Sequence, residues 1–229
     1  MTQNIDKHAK LASHIFGEYV SKNSNVGLGS GSTVVALIHN IKKLRYLDSL
    51  KFVATSIQIK ITAEKLGLKV FDECLTEGLD IVIDGADQVD SNFNLIKGGG
   101  GALLKEKIII SAAKKFVICA HTRKFVDSLQ MAVPVEIHPF ARKTAFRHLS
   151  MEGGTPSLRL LEKGYPFITE SGNLIYDTKF GLIKNPTALE NRIKNIPGVI
   201  EVGIFSKIGD GYYKFEDNGD FSVIQPSHR

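Results

Sequence analysis

The sequence has little cysteine and no long hydrophobic run. Its 229 residues include only two cysteines, Cys74 and Cys119, which form neither a CxxC pair nor a metal-type group with nearby histidines. A reduced, intracellular protein is the simplest interpretation, and Cys119, in the apolar run FVICA, is predicted to be buried. No window reaches the ~18 apolar residues that a membrane span requires. The first twenty residues carry acids and histidines where a signal peptide has an apolar segment, so we expect the cytoplasm, with import into an organelle left open.

The sequence also lacks a concentrated charge of one sign. Lys and Arg number 29 against 24 Asp and Glu, which gives a net charge of +5, and basic residues occur in isolated pairs such as Lys42-Lys43 and Lys114-Lys115. A dense basic surface for nucleic acid is therefore not predicted. The modest excess suits an anionic small molecule, and it is equally compatible with ordinary solvated surface.

Strands and helices alternate over the first 130 residues. The patterns predict strands at 26–28, 51–55, 69–71, 81–83 and 116–120, and helices at 6–20, 34–44, 59–66 and 102–114. The run at 81–83 is β-branched and does not alternate, which is typical of a parallel strand covered on both faces. This order predicts an α/β fold with a Rossmann-like open, mainly parallel sheet, whose ligands bind beyond the carboxyl ends of the strands.

The pattern changes at about residue 130. Strands predicted at 133–137, 157–161, 174–177 and 199–205, with helices at 139–151 and 186–195, follow the order βαββαβ of a small ferredoxin-like α+β domain. Pro134 lies in the first of these strands and predicts that it is an edge strand. We therefore predict a Rossmann-like domain from residues 1–130 and 206–229, and a smaller domain from residues 131–205.

A small-residue loop, GSGST, connects the first predicted strand to the next helix. Such a loop can hold an anion, because the first amides of a helix are unpaired, the helix dipole is positive there, and glycine lets a ligand approach the backbone. The hydroxyl groups of Ser30, Ser32 and Thr33 add donors. The loop is neither a Walker A sequence nor GxGxxG, so neither ATP nor NAD is indicated. By itself it is equally compatible with a plain tight turn.

Most of the candidate chemistry lies in residues 79–107, LDIVIDGADQVDSNFNLIKGGGGALLKEK. Three aspartates, Asp84, Asp87 and Asp90, are spaced by three residues. They are compatible with a capped, solvated turn. A metal site is weakly supported, because calcium loops use alternate residues and no histidine is close.

Acid–base catalysis is the third interpretation of this segment. If Asp84 and Asp87 both turn inward, they cannot ionise independently, and one of them keeps a raised pKa. Glu106 lies on a predicted helix that can aim it, and Lys97 supplies a positive charge for a developing oxyanion. We expect Asp90, Lys105 and Lys107 at the surface.

The candidate residues meet at one edge of the predicted sheet. Ser30 to Thr33, Thr55-Ser56, Asp84 to Asp87 and Lys124 all follow the carboxyl ends of predicted strands. This convergence is stronger evidence for a ligand site than any single motif.

Three motifs, GLGSGST, DGADQVD and IKGGGGALLKEK, in this order and at these separations, resemble ribose-5-phosphate isomerase, type A. The resemblance covers nearly the whole chain and is most specific in the second and third motifs. It implies a Rossmann-like domain with a smaller α/β domain, and interconversion of D-ribose 5-phosphate and D-ribulose 5-phosphate in the pentose phosphate pathway. It also implies no metal or organic cofactor and a homodimer or homotetramer. The charge distribution and the lack of a long apolar run predict no nucleic acid and no membrane partner.

The resemblance assigns roles by position. Glu106 matches the proton acceptor of the family, with Asp84, Asp87 and Lys97 as the other catalytic positions. The positions that match substrate contacts are Ser30, Gly31, Ser32, Thr33, Asp84, Gly85, Ala86, Asp87, Lys97, Gly98, Gly99, Gly100, Lys124 and, with a looser match near the phosphate, Lys7.

The sequence departs from the family pattern at three positions. Ser30 stands where threonine is common, which keeps the hydroxyl group. Gln88 replaces a usual glutamate, so the site has one negative charge less if that glutamate acts electrostatically. His121 stands where the family often has an aspartate, beside Lys124, and can change how that lysine is held.

Two other functions fit a similar fold. A non-catalytic sugar-phosphate sensor would keep the GSGST loop, called the anion loop below, and would lose the base. In this chain Glu106, Asp84, Asp87 and Lys97 are all present. A CoA transferase would use its glutamate as a nucleophile, but the chain has no obvious room for a CoA-binding subdomain. An isomerase assay separates the three.

Overall fold

The computed structural model describes residues 8–73 and 76–226, and it divides the chain into two compact units. The first unit takes residues up to 85, 105–123 and from 209 onward, and the second takes 86–104 and 124–208. The segments 86–104, 124–130 and 206–208 therefore lie in the second unit, whereas the sequence places them in the Rossmann-like domain.

The described residues form fourteen strands and six α-helices. Numbered in chain order, the strands are β1 (Asn25–Leu28), β2 (Lys51–Ala54), β3 (Val70–Phe71), β4 (Leu79–Asp84), β5 (Gln88–Val89), β6 (Leu95–Ile96), β7 (Ala113–His121), β8 (Val133–Ile137), β9 (Thr155–Leu158), β10 (Leu174–Lys179), β11 (Val199–Val202), β12 (Ile204–Phe205), β13 (Gly211–Phe215) and β14 (Phe221–Ile224). The helices are α1 (Ala9–Tyr19), α2 (Ser32–His39), α3 (Ile57–Lys65), α4 (Leu103–Ser111), α5 (Arg142–Met151) and α6 (Pro186–Lys194). None of the helices in the described part of the chain is long and apolar enough to cross a membrane.

The first unit contains a seven-stranded sheet in the order β14-β13-β7-β4-β1-β2-β3. All neighbours are parallel except β13 and β14, so the predicted mainly parallel α/β sheet is confirmed. Strand β13 pairs with β7, and β14 pairs with β13, as expected for a C-terminal segment that returns to the first domain. Strand β1 is buried along its whole length, which agrees with a parallel strand at the centre of a sheet.

Cys119 lies on β7 in the core of this unit and is fully buried, as predicted. Burial raises the pKa of its thiol above the usual range, and the negative charge of Asp84 raises it further. Because the reactive form of cysteine is the thiolate, Cys119 is a core residue and not a nucleophile. Cys74 lies outside the described residues.

The second unit contains a four-stranded antiparallel sheet in the order β11-β8-β10-β9. With α5 after β8 and α6 after β10, the chain follows βαββαβ, which confirms the ferredoxin-like order. One face of this sheet packs its apolar side chains, such as Val135 and Tyr176, into a core that includes Leu149 of α5 and Ile193 of α6. A separate three-stranded sheet, β12-β6-β5, was not predicted.

The expectation that Pro134 marks an edge strand is wrong, because β8 lies between β11 and β10. A strand residue directs its N–H and C=O groups to the same neighbour. The carbonyl of Pro134 accepts a bond from the amide of Gly203 at 2.7 Å. The N–H that proline lacks would therefore also face Gly203, just beyond the end of β11. No hydrogen bond between β8 and β11 is lost there, so this position tolerates proline.

Candidate active site

The GSGST loop connects β1 to α2 in the first unit. The helix begins at Ser32 rather than at the predicted Val34, and Gly31 precedes it as N-cap with φ 94°. This left-handed conformation is accessible to glycine at little cost. The N-terminal amides of α2 thus follow the loop hydroxyls directly, which is the arrangement that binds anions.

Glu106 lies in the first turn of α4 and is 2% exposed. The hydroxyl of Ser30 donates a hydrogen bond of 2.6 Å to Glu106 Oε1. This bond joins the anion loop to the candidate base although 76 residues separate them in sequence. Ser30, which the resemblance assigns to substrate binding, and Glu106, which it assigns to proton transfer, are therefore neighbours.

Asp84 ends β4 and is fully buried. Its Oδ1 accepts a bond of 2.7 Å from the amide of Gly85. Gly29 lies against it so closely that a Cβ atom at Gly29 would be 1.8 Å from Asp84 Oδ1. The first glycine of the loop is thus required by the aspartate beside it.

Thr55 and Ser56 follow β2 at the same edge of this sheet, as expected. Ser56 caps α3 by accepting a bond from the amide of Ile59, so its role is structural. Thr55 is 1% exposed, and its Oγ1 has no hydrogen-bond partner among the described residues.

The second unit holds the glycine segment 98–101 and Asp87. The amide of Gly99 donates to Asp87 Oδ2 at 2.8 Å, and a Cβ atom at Gly99 would lie 3.0 Å from the same oxygen. Lys97 is 3% exposed, its amide donates to the carbonyl of Gly203, and its Nζ lies 5.7 Å from the ring centroid of Phe205. The backbone of the glycine segment and the Asp87 carboxylate are therefore in direct contact, as expected of one functional loop.

Lys124 follows β7 in a short 3-10 helix, Thr122–Lys124. Its Nζ donates a bond of 2.6 Å to the carbonyl of Ala86, within the DGAD motif. Lys7 lies outside the described residues. His121 is held within the first unit, where its Nδ1 accepts from the amide of Arg123 and its Nε2 lies 3.5 Å from Asp217 Oδ1.

The expectation that Asp90 is a surface residue is wrong. Asp90 is 5% exposed. Its Oδ1 accepts bonds from the amides of Asn92 and Asn94, and its Oδ2 accepts one from the Asn94 side chain. Of the three aspartates, Asp90 is the one that caps a turn.

Gln88, the departure from the family glutamate, is buried and holds a turn. Its Oε1 accepts bonds from the amides of Gln130 and Met131 at 2.9 and 3.0 Å. Glutamate offers the same acceptor, so Gln88→Glu should keep the free energy of unfolding near that of the parent. Gln88→Ala leaves both amides unpaired and should lower it by about 1–3 kcal/mol.

Urea unfolding checks this prediction, with Gln58→Ala on the exposed surface of α3 as control. A parental free energy of unfolding for Gln88→Ala would contradict the structural role.

Sequence reasoning missed Arg159, whose guanidinium contacts the carbonyls of Gly98 and Gly99. No local signal identifies it, because these contacts span about sixty residues. Among residues 8–73 and 76–226 there is no group of three or more His, Cys, Asp or Glu side chains arranged to hold a metal ion.

Fold and site together define an α/β protein with buried carboxylates and an anion loop at the carboxyl ends of parallel strands. A family model described as ribose 5-phosphate isomerase A (phosphoriboisomerase A) matches residues 51–219. The chain is 40% identical over 226 residues to a ribose-5-phosphate isomerase A of Trichodesmium erythraeum, covering 96% of this chain and 92% of that protein.

Solved structures agree with the sequence comparisons. The ribose 5-phosphate isomerase from Plasmodium falciparum superimposes with a TM-score of 0.89 at 31% identity, covering 98% of this chain and 100% of the other. A D-ribose-5-phosphate isomerase in complex with phospho-erythronic acid gives 0.88 at 35% identity, covering 96% and 99%. The chain belongs to the ribose 5-phosphate isomerase A family, so the predicted resemblance, and with it an isomerase, is confirmed.

Proposed function

We propose that this protein interconverts D-ribose 5-phosphate and D-ribulose 5-phosphate through a cis-enediolate, as a step of the non-oxidative pentose phosphate pathway. The aldose and the ketose differ by one proton moved between C2 and C1 and one moved between their oxygens. A base for the carbon-bound proton, a carrier for the hydroxyl proton and a positive site for the enediolate oxygen are sufficient for this reaction.

Glu106 is assigned as the base that takes the proton from C2 and returns it to C1. The hydrogen bond from Ser30 to Glu106 Oε1 is the observation that carries this assignment. It holds one oxygen of the carboxylate, and it joins the base to the loop that is suited to the phosphate. A base held in this way is oriented before the substrate arrives, which lowers the entropic cost of the proton transfer.

Asp84 or Asp87, whichever holds a proton, is assigned to carry it between O1 and O2. Asp84 is fully buried and Asp87 accepts from the Gly99 amide, so each carboxylate has a defined position within its own unit. The assignment is therefore to the two residues together and not to either one alone.

Lys97 and the amides of the glycine segment are assigned to the enediolate oxygen. The ammonium group is buried, and a buried charge interacts more strongly with a developing negative charge than a solvated one. The related isomerase solved with phospho-erythronic acid supports an enediolate in the reaction, since a carboxylate is planar and anionic, as an enediolate is.

The C5 phosphate is assigned to the loop from Ser30 to Thr33 and the N-terminus of α2. The hydroxyl groups of Ser32 and Thr33 and the first amides of the helix supply donors there, while the Ser30 hydroxyl donates to Glu106. Lys7 and Lys124 are assigned to the substrate by their match to the family pattern. Binding of sugar phosphate by Gly85, Ala86 and Gly98 to Gly100 is proposed on the same basis, as is a homodimer or homotetramer. A cytoplasmic location is proposed from the low cysteine content.

Incubation with D-ribose 5-phosphate, followed by quantification of the ketose product, tests the function. We expect ribulose 5-phosphate to form in a metal-free buffer. A protein that binds ribose 5-phosphate, as seen by a thermal shift, but forms no ketose would refute the isomerase and favour a sensor.

A further inference from the structure

Arg159, directly after β9, ties the glycine segment 98–101 to the four-stranded sheet of the second unit. Its Nε donates to Asp177 Oδ2 at 2.9 Å, and its Nη2 donates to Asp177 Oδ1. Its Nη1 donates to the carbonyls of Gly98 and Gly99 at 2.9 and 3.1 Å. One guanidinium group thus connects a carboxylate of β10 to two successive peptide groups of the loop.

The position of this guanidinium is fixed from several sides. Its central carbon, Cζ, lies 5.6 Å from the ring centroid of Phe167. The edge of this ring packs against Gly101, where an added Cβ atom would lie 2.5 Å from Cζ of Phe167. The Arg159 side chain is only 14% exposed. A planar fork with five donors can bind a carboxylate with two bonds and still reach two carbonyls, which the single ammonium group of lysine cannot do.

The Gly98–Gly99 peptide group is held from both ends. Its carbonyl accepts from Arg159, and its N–H donates to Asp87. Because the C=O and N–H groups of a trans peptide point in opposite directions, Arg159 lies on one side of this peptide and Asp87 on the other.

The next peptide group follows the same direction. The carbonyl of Gly99 also accepts from Arg159, so the N–H of Gly100 points away from Arg159, towards the side of the loop on which Asp87 lies. Gly99 and Gly100 are both exposed. The loop therefore presents one N–H, that of Gly99, which orients a carboxylate. The neighbouring N–H of Gly100 points in a direction from which it can donate a hydrogen bond to an anion.

We propose that Arg159 and Asp177 are positioning residues for the isomerase reaction: they set the direction of the Gly99 and Gly100 amides and, through Gly99, the orientation of Asp87. The inference rests on the proposed function, which assigns Asp87 to the hydroxyl proton and the glycine amides to the enediolate. Donors that are oriented beforehand need no reorganisation when charge develops.

Replacing Arg159 by lysine tests the inference. Arg159→Lys keeps the charge and can still pair with Asp177, but it loses the simultaneous bonds to the two carbonyls. We expect kcat to fall by about 10²-fold, as for a misplacement of about 1 Å at a reacting group, with KM little changed. Arg192→Lys is the matched control, because Arg192 pairs with Glu152 in the same unit, far less buried and without contact to the loop, and it should keep parental kcat.

A second measurement separates positioning from folding. Amide hydrogen exchange of the ligand-free protein should be faster at Gly99 in Arg159→Lys and unchanged along β10. In Arg159→Ala, added guanidinium ions should restore part of kcat, whereas added ammonium ions should not. Parental kcat in Arg159→Lys, a loss of protection throughout β8 to β11, or the absence of rescue by guanidinium would overturn the inference.

These outcomes are distinct from a failure of the proposed function. If the parent protein makes no ketose, the proposed function is refuted, and Gly99 exchange alone then decides whether Arg159 orients the loop. Unchanged Gly99 exchange in Arg159→Lys would overturn the inference in that case too.

Discussion

Glu106→Gln should lower kcat by about 10²–10⁴-fold, the usual contribution of a positioned base, and leave KM nearly unchanged. The amide has nearly the same shape and its oxygen can still accept the bond from Ser30, so the site should keep its geometry and lose only the basic group. Steady-state kinetics with ribose 5-phosphate give both constants. Near-normal turnover would show that another group removes the proton.

Two further variants refine this result. Glu64→Gln changes an exposed glutamate of α3 whose ion pair with Lys60 is long, at 3.9 Å, and it should leave kcat at the parental value. Ser30→Ala removes the donor that orients Glu106, so kcat should fall, but less than in Glu106→Gln, because the base itself is retained. A Ser30→Ala variant as inactive as Glu106→Gln would indicate that Ser30 has a role of its own in the reaction.

Gly29→Ala should have the second large effect, on activity and stability together. The added Cβ atom would lie 1.8 Å from Oδ1 and 1.9 Å from Cγ of Asp84, which is fully buried, so the aspartate or the loop must shift. Overpacking of this kind lowers the free energy of unfolding by about 1–3 kcal/mol. Displacement of Asp84 by about 1 Å should reduce kcat by about 10²-fold.

Gly17→Ala is the control for this change, because a Cβ atom there would have no described neighbour within 4 Å beyond the adjoining residues and backbone of its own helix. Gly17 is in α1, where alanine is favoured over glycine by about 0.5–1 kcal/mol, so the variant should be slightly more stable and fully active. Urea unfolding and kcat are measured for both variants. Parental kcat in Gly29→Ala would contradict a catalytic position for Asp84.

The sequence predicted those parts of the fold that rest on local patterns. The parallel strands of the first unit are short apolar runs, and the βαββαβ order of the second follows from its turns and amphipathic helices. Strands β5, β6 and β12 have only two residues each, which is too short for any periodicity. The position of Pro134 was predicted wrongly because its tolerance depends on where the neighbouring strand ends.

The motifs predicted which residues form the candidate site, but they did not predict the contacts that hold these residues in position. The contacts of Ser30 with Glu106 and of Arg159 with Gly98 link residues 76 and 61 positions apart, and such pairs leave no trace in the local pattern of a single chain. Gln88 illustrates the same limit, since its buried bonds to the amides of Gln130 and Met131 depend on the tertiary fold.

Deuterium incorporation tests the central claim, that Glu106 moves a carbon-bound proton through an enediolate, most directly. The protein is incubated with D-ribose 5-phosphate in D₂O, and the hydrogens on C1 and C2 are followed by NMR. We predict deuterium at C1 of the ketose and at C2 of the aldose, with incorporation strongly slowed in Glu106→Gln. Interconversion of the two sugars without deuterium at either carbon would contradict the enediolate and indicate a hydride shift.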